Sequence, residues 1–517
     1  MAALSPKLTS CLFTGLLAGC AQGDPDRPPN VVIVALDTLR PDRLGCYGHE
    51  RDTSPNLDRL AADCVLFEAA QSAAPWTAPS LISLMTSLHP DAHGVTGFPD
   101  PGRLDESVVT LAEVLRARGY ETAAFTEGGY ANGDFGLDQG FHLYPAHEGD
   151  ETGFTSNRHT DSRLAANLDR AIEWLDDRGA APYFLFFQTY EPHSPYLAPD
   201  EDIVRFLPGY DSADEHARLD EVIAHWNETR EVDCDGLEML ARHAFHCEWR
   251  DSSPVEDPEL LLAVAVEAGR PLARRQAAED PLLVEWIRAL YDAGIRYMDR
   301  ELERLWQAIE ESEQPSSTAD RTLIVVVSDH GEGLGQHGRI GHGALLQEEV
   351  LNIVLLVRAP GVAPTRVPGV VRSVDVVPTV LELIGCRARE LASQAQGVSL
   401  VPLMRGKSDP RPAFSQANKG SGPKQRSLRT ERWRLVVSEE PHSVELFDRE
   451  SDTTEEHDVS AQHTDVVARL SRLLEEQELT DRELRNRLAP GTRQRGLDES
   501  TRRELESLGY LGQDDEE

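Results

Sequence analysis

Hydrophobic positions along this chain follow two rhythms. Continuous apolar runs occur at Val31–Leu36, Tyr183–Gln188 and Thr322–Val327, the pattern of strands buried on both faces. Glu121–Thr126 and Ile353–Val357 read as further strands, and Val65-Leu66-Phe67 is a shorter run. Between them the spacing becomes helical. Asp161–Arg178 carries Leu164, Leu168, Ile172 and Leu175 on one side, and Val284–Glu311 carries Ile295, Met298, Leu302, Leu305 and Ile309. Shorter helices are expected near Pro55–Asp63, Leu81–Met85, Val108–Ala117 and Val374–Leu383. Strands alternating with helices predict an α/β fold with a large, doubly wound, mostly parallel sheet.

Two stretches break the rhythm. Residues 201–280 are acidic and irregular, and read as a helical insertion in a main domain spanning 30–405, which Leu400–Leu403 closes after a loop at Ala388–Gln396. From Ser408 the pattern alternates every second residue at Ser427–Thr430, Trp433–Ser438 and Ser443–Asp448, the signature of a small antiparallel sheet with one solvated face. A helix over Thr464–Leu474 would pack on it, with Thr464 as N-cap, giving an α+β subdomain over 406–475. Residues 476–517 read as a polar tail, mobile over Glu476–Thr492, with a last helix at Glu499–Leu508.

The bulk numbers narrow the function. At 517 residues the chain can bury a large core. A net charge of −38 excludes the basic footprint that nucleic-acid binding needs and suits a well-solvated exterior. Lysine occurs only at positions 7, 407, 419 and 424, so cationic help in catalysis must come from Arg, His or a metal. Near the N-terminus, Lys7 precedes the apolar Leu8–Leu17, too short to span a bilayer, and the run ends Leu16-Leu17-Ala18-Gly19-Cys20. This resembles the lipobox of bacterial lipoproteins. Residues 1–20 then form a signal peptide, Cys20 is lipidated, 21–29 is a tether, and the protein is exported and anchored to a bacterial membrane, on the outer membrane or an extracytoplasmic face. Cys46, Cys64, Cys234, Cys247 and Cys386 remain, an odd number that leaves a free thiol. In an exported protein Cys234 and Cys247, both in the insertion, are the plausible disulfide.

Candidate chemistry gathers at strand ends. Asp37 follows the first strand, Glu191 and His193 follow Tyr183–Gln188, and Asp329 and His330 follow Thr322–Val327. The C-terminal edge of parallel strands is where open α/β sheets build their sites. A glycine-rich loop then carries His337 and His342. Pro79 suits a first helical turn, which puts Thr77 at the N-terminus of a helix whose free amides favour an anion.

Several motifs together resemble the sulfatase family, part of the alkaline phosphatase superfamily. They are Pro29–Gly48 (PNVVIVALDTLRPDRLGCYG), Ser54–Asp58, Ser83–Val95, Phe135–Phe141, Glu191–Tyr196 and Ser328-Asp329-His330-Gly331-Glu332. Arg429–Trp433 and Glu445–Asp448 fit the family's C-terminal subdomain. The resemblance covers roughly residues 29–475 and implies an enzyme that hydrolyses ester bonds with a divalent metal. It places metal ligands at Asp37, Thr77, Asp329 and His330. His193 and His342 would hold a second cation or the transferring oxyanion. Zn or Mn suits this mixture of carboxylate and imidazole better than Ca or Mg. The catalytic set is then Thr77, His193 and His342, and the partner is a small, or lipid- or glycan-linked, anionic ester. Glu191 is expected to be structural, Arg40 structural or close to the anion, and Trp76, His89, His93 and His337 to serve packing and hydrogen bonding.

Departures from the family pattern matter equally. Sulfatases carry Cys or Ser in a Cys/Ser-x-Pro-x-Arg signature matured to formylglycine, whereas this chain has Thr77-Ala78-Pro79-Ser80-Leu81. Thr38 stands where an aspartate is usual, and His342 where the family has a lysine. These changes resemble the phosphoesterase and phosphoethanolamine-transferase branches, in which a metal-bound threonine is the nucleophile. The expected function is a metal-dependent hydrolase of a phosphate or sulfate ester acting through Thr77. A phosphoethanolamine-type phosphotransferase, a true sulfuric ester hydrolase and an inactive binding lipoprotein are the alternatives.

Overall fold

The computed structural model describes residues 28–98, 100–145, 163–194, 196, 198–211, 281–312, 321–343, 346–418, 424–439 and 441–488. The lipobox, the Cys234–Cys247 pair, nearly all of the 201–280 insertion and the expected helix at Glu499–Leu508 lie outside these residues. Cys46, Cys64 and Cys386 are free thiols.

Seven strands order the main sheet: β1 (Asn30–Leu36), β2 (Val65–Gln71), β3 (Glu121–Phe125), β4 (Tyr183–Thr189), β5 (Thr322–Ser328), β6 (Leu355–Arg358) and β7 (Thr365–Arg372), in spatial order β7-β2-β6-β5-β1-β4-β3. A two-residue strand, Asn352–Ile353, pairs with β2 and makes the sheet eight-stranded. β1 is parallel to both β4 and β5, as are β3 to β4 and β7 to β2, while β6 is antiparallel to its neighbours. Alternate side chains of β1 explain its continuous apolar run. Val31, Ile33 and Ala35 enter one core with helices α2 (Thr77–Thr86), α3 (Leu111–Arg116) and α6 (Val376–Leu383). Val32, Val34 and Leu36 enter the other with α1 (Pro55–Ala61), α4 (Arg163–Asp177) and α5 (Pro281–Ser312). The sheet is therefore covered by helices on both faces, as the alternation predicts.

β7 escapes a reading by periodicity because Pro368 and Gly369 interrupt it. It is an edge strand with a register shift between Val367 and Val370, the setting in which proline is tolerated. The loop expected at Ala388–Gln396 contains a helical turn, Arg389–Ala392.

The C-terminal sheet has four antiparallel strands, one more than the alternation shows: β8 (Ala413–Ala417), β9 (Gln425–Arg429), β10 (Trp433–Ser438) and β11 (Ser443–Asp448). Leu428, Leu435 and Leu446 pack against Val466, Leu470 and Leu474 of α7. That helix runs from Thr464 to Leu488, so Glu476–Leu488 is helix and not a mobile tail. The polar face hid this: past Leu474 the helix docks on the main domain through Leu484 and Leu488, and Asp481 accepts from Gln396 Nε2. No described helix is long and apolar enough to cross a membrane.

Candidate active site

Register builds the centre. Leu36 pairs with Ser328 on one side and Thr189 on the other, so the residues after β5, β1 and β4 emerge side by side at one sheet edge. Asp37, Asp329 and His330 are buried there, with one ligand atom of each within 4.8 Å of the others. α2 approaches with Thr77 as its first residue, following an extended Trp76. The Thr77 hydroxyl donates to Asp37 Oδ2 at 3.0 Å and lies 3.5 Å from His330 Nε2.

Local geometry aims each group. His330 Nδ1 donates to Gly331 O at 2.9 Å, which turns Nε2 toward Thr77. Gly331 must be glycine, because a Cβ there would stand 2.2 Å from Glu349 O. Asp329 Oδ1 accepts from the backbone N–H of His330 at 2.8 Å and of Thr38 at 3.3 Å. Thr38 has φ of 55°, a strained value for a β-branched residue. It is held by Tyr291, whose hydroxyl donates to Thr38 O at 2.7 Å and accepts from Arg40 N at 3.0 Å.

Electrostatics leave the centre short of positive charge. Burial, and then the facing Asp329 carboxylate, push the Asp37 carboxyl well above its usual range. Asp37 Oδ1 and Asp329 Oδ2 are buried without a hydrogen-bond partner among the described residues. Buried carboxylate oxygens are normally satisfied, and two such atoms beside an imidazole nitrogen fit a bound cation. Asp37, Asp329 and His330 could hold it.

His193 and His342 lie beside this group, not within it. The His330 and His342 rings are 4.5 Å apart between centroids, and His342 and His193 are 5.0 Å apart. Burial, with the His342 ring next, pulls His193 down to about 3, so its ring is neutral at neutral pH. Its Nδ1 donates to Ser194 O. Glu332, a match to the family motif without an assigned role in the sequence, is fully buried and accepts from His342 Nδ1 at 3.2 Å. Only the fold reveals that pairing.

The remaining expectations find structural places. Arg40 pairs with Asp42 at 2.8 Å and bonds Glu332 O and Gln336 Oε1, bracing the histidine loop. Trp76 packs edge-on against Tyr130 and Phe98. His93 meets Ser83 at 3.0 Å, His89 packs against Phe414, and His337 bridges Glu349 and Glu455. Glu191 follows β4, its backbone N–H donating to Thr189 Oγ1.

A sequence profile described as "Sulfatase" matches residues 29–386, and one described as "N-sulphoglucosamine sulphohydrolase, C-terminal" matches 335–480. The chain belongs to the sulfatase family. It is 27% identical over 341 residues to human iduronate 2-sulfatase, covering 60% of this chain and 56% of that one. It is also 24% identical over 470 residues to choline-sulfatase of Rhizobium meliloti, covering 83% and 81%. The match thus spans little more than half of iduronate 2-sulfatase. Among solved structures, phosphonate monoester hydrolase of Agrobacterium radiobacter superposes with a TM-score of 0.64 at 21% identity, covering 88% of this chain and 96% of that one. A structure of BT4656 in complex with D-glucosamine-2-N,6-O-disulfate superposes with a TM-score of 0.66 at 19% identity, covering 88% and 99%. These likenesses establish the alkaline-phosphatase-like sulfatase fold.

Proposed function

We propose that this protein hydrolyses a phosphate-type monoester with Thr77 as nucleophile. The observation that carries the reading is the Thr77 hydroxyl itself, at the N-terminus of α2, 3.0 Å from Asp37 and 3.5 Å from His330. A threonine offers a one-step nucleophile where the family's maturation needs Cys or Ser.

Asp37, Asp329 and His330 would hold a divalent cation, Zn or Mn by donor chemistry. When bound, it supplies the positive charge that favours a deprotonated Thr77 oxygen and balances the two aspartates. Asp37 orients the hydroxyl through the hydrogen bond it accepts. The N-terminal end of the α2 dipole at Thr77 would favour an entering anion. Thr77 Oγ attacks phosphorus as the ester oxygen departs with its bonding pair and takes a proton to leave as an alcohol. Water then displaces the threonine oxygen, releasing phosphate and restoring the hydroxyl. One difficult displacement becomes two easier ones. His342 donates through Nδ1 to Glu332, and neutral His193 donates through Nδ1 to Ser194 O. Their Nε2 lone pairs are left unprotonated, so they would hold a second cation beside the transferring oxyanion.

Family membership, with relatives named iduronate 2-sulfatase and choline-sulfatase, favours a second reading in which the same nucleophile acts on a sulfate ester. Purified protein loaded with Zn2+ or Mn2+ and assayed on aryl phosphate, aryl phosphonate and aryl sulfate separates the two. Phosphoryl or phosphonyl turnover should lead, and acid quench during turnover should trap phosphate on Thr77. Sulfate preferred by orders of magnitude would sink the phosphoester reading, and undiminished activity in Thr77→Ala would remove the nucleophile. We further propose lipid anchoring through Cys20. Detergent-phase partition that survives Cys20→Ala would refute it.

A further inference from the structure

Arg434, in the middle strands of the C-terminal sheet, is fully buried. A guanidinium cannot shed its charge in a protein, so burying it costs several kcal/mol unless its donors are met. Here they are met by partners from three separate parts of the chain. Nε donates to Glu455 Oε1 at 2.6 Å, and Nη1 donates to Ser427 Oγ at 3.2 Å and Leu346 O at 3.3 Å. Nη2 donates to Gln71 Oε1 at 2.8 Å and Glu348 Oε2 at 2.5 Å.

Three of these partners flank the candidate centre. Gln71 is the last residue of β2, where the chain turns toward Thr77. Leu346 and Glu348 lie just beyond His342 in the histidine loop. Neighbouring contacts run the same way. Ser415 Oγ donates to Ser72 O and Gln416 N to Ala73 O, while Ser72 Oγ donates to Asp329 O at 2.5 Å. On the far side of the loop, Glu348 N donates to Glu455 Oε2 at 3.0 Å, and His337 donates to Glu349 and to Glu455 O.

We infer that Arg434 is a positioning residue that fixes the nucleophile-bearing turn to the metal-histidine loop, making the C-terminal sheet part of the catalytic apparatus. The inference rests on the hydrolase reading above. Its physical basis is the planar fork: one rigid cation sets the distance between Gln71 on one side and Leu346 and Glu348 on the other, which a flexible ammonium or an apolar chain cannot do. A misplacement of about 1 Å between nucleophile and assisting groups can cost roughly 100-fold in rate.

The charge count makes the test feasible. Arg429, Arg434 and Arg449 face Glu348 and Glu455. Arg434→Met therefore leaves two arginines with two carboxylates, so a folded variant is expected. In the Zn2+-loaded enzyme, Arg434→Met should lower kcat about 100-fold with KM within threefold, and Arg434→Lys should recover about tenfold of that loss. Gln71→Leu, which spares the ion pairs, should lower kcat about tenfold. The exposed Arg432→Met should match wild type. Zn2+ measured against a competing chelator should bind Arg434→Met and Gln71→Leu about tenfold more weakly than wild type. Turnover and Zn2+ affinity within twofold of wild type in Gln71→Leu and Arg434→Met, with only the melting point lowered, would overturn the inference. If Arg434→Met fails to fold, Gln71→Leu decides. A wild type inactive on every ester would instead defeat the hydrolase reading, and the Zn2+ comparison alone would then decide.

Discussion

Two clusters of buried charge face each other across the histidine loop, and they are built on opposite terms. At the sheet edge, Asp37 and Asp329 share four carboxylate oxygens, and two of these have no hydrogen-bond partner among the described residues. Around Arg434, both oxygens of Glu348 meet arginines, while those of Glu455 meet Arg434 and the backbone N–H of Glu348. The first cluster is an electrostatic deficit kept in place by Tyr291, Arg40 and the two-sided core. In the second every carboxylate oxygen is met, and the surplus lies with the arginines, where Arg429 Nε and Arg449 Nε are buried without a hydrogen-bond partner among the described residues. Unmet buried carboxylate oxygens mark where a cation can bind, and met ones mark what holds the frame while it binds.

The sharpest break of this contrast is Thr77→Val. It removes one hydroxyl from the open cluster and leaves the arginine cluster intact, so kcat should fall by about 1000-fold or more without loss of folding cooperativity, measured by steady-state turnover and thermal melting. Asp329→Asn should next abolish the rise in melting point on adding Zn2+. The metal-free variant should melt above metal-free wild type, because one of two facing buried carboxylates has lost its charge. A metal-free variant melting below wild type would mean the pair is compensated after all.

Breaking the arginine cluster should do the reverse. Glu455→Gln leaves three arginines facing one carboxylate, and urea unfolding should report a loss of about 3 kcal/mol. The smallest effect concerns His337. It donates to two acceptors, the Glu349 carboxylate and Glu455 O, which requires both ring nitrogens protonated. The hydrogen bond to Glu349 is the largest cause holding it up at about 9, against an ordinary value of 6.5. A raised imidazole stabilises fully below its unfolded value, and this stability is lost as pH rises through about 9. The half-buried ring is screened, so the effect should stay below about 1 kcal/mol. Urea titrations from pH 6 to 10 should show a decline that His337→Gln flattens.

Much of the centre is legible in the sequence. The apolar runs of β1, β4 and β5 and the polar residues ending them follow from local periodicity, as does Thr77 at a helix start marked by Pro79. What escaped reading shares one property, dependence on partners remote in sequence. β7 pairs with β2 despite its proline because it lies at an edge. α7 continues to Leu488 because the main domain offers Leu484 and Leu488 a surface. Arg434 alternates with Trp433 and Leu435, which pack against α7, so alternation places it toward solvent. The main domain covers that face instead, and Val436 packs there with Leu346 and Leu351.

The chain alone therefore determined which strands form, where they end and which carboxylate, imidazole and hydroxyl groups stand at those ends, since side-chain periodicity and backbone propensity act over a few residues. Tertiary structure alone decided which buried charges are compensated. Compensation is a matter of distance in a low-dielectric interior, and the groups that set it for Asp37 and for Arg434 come from segments hundreds of residues apart.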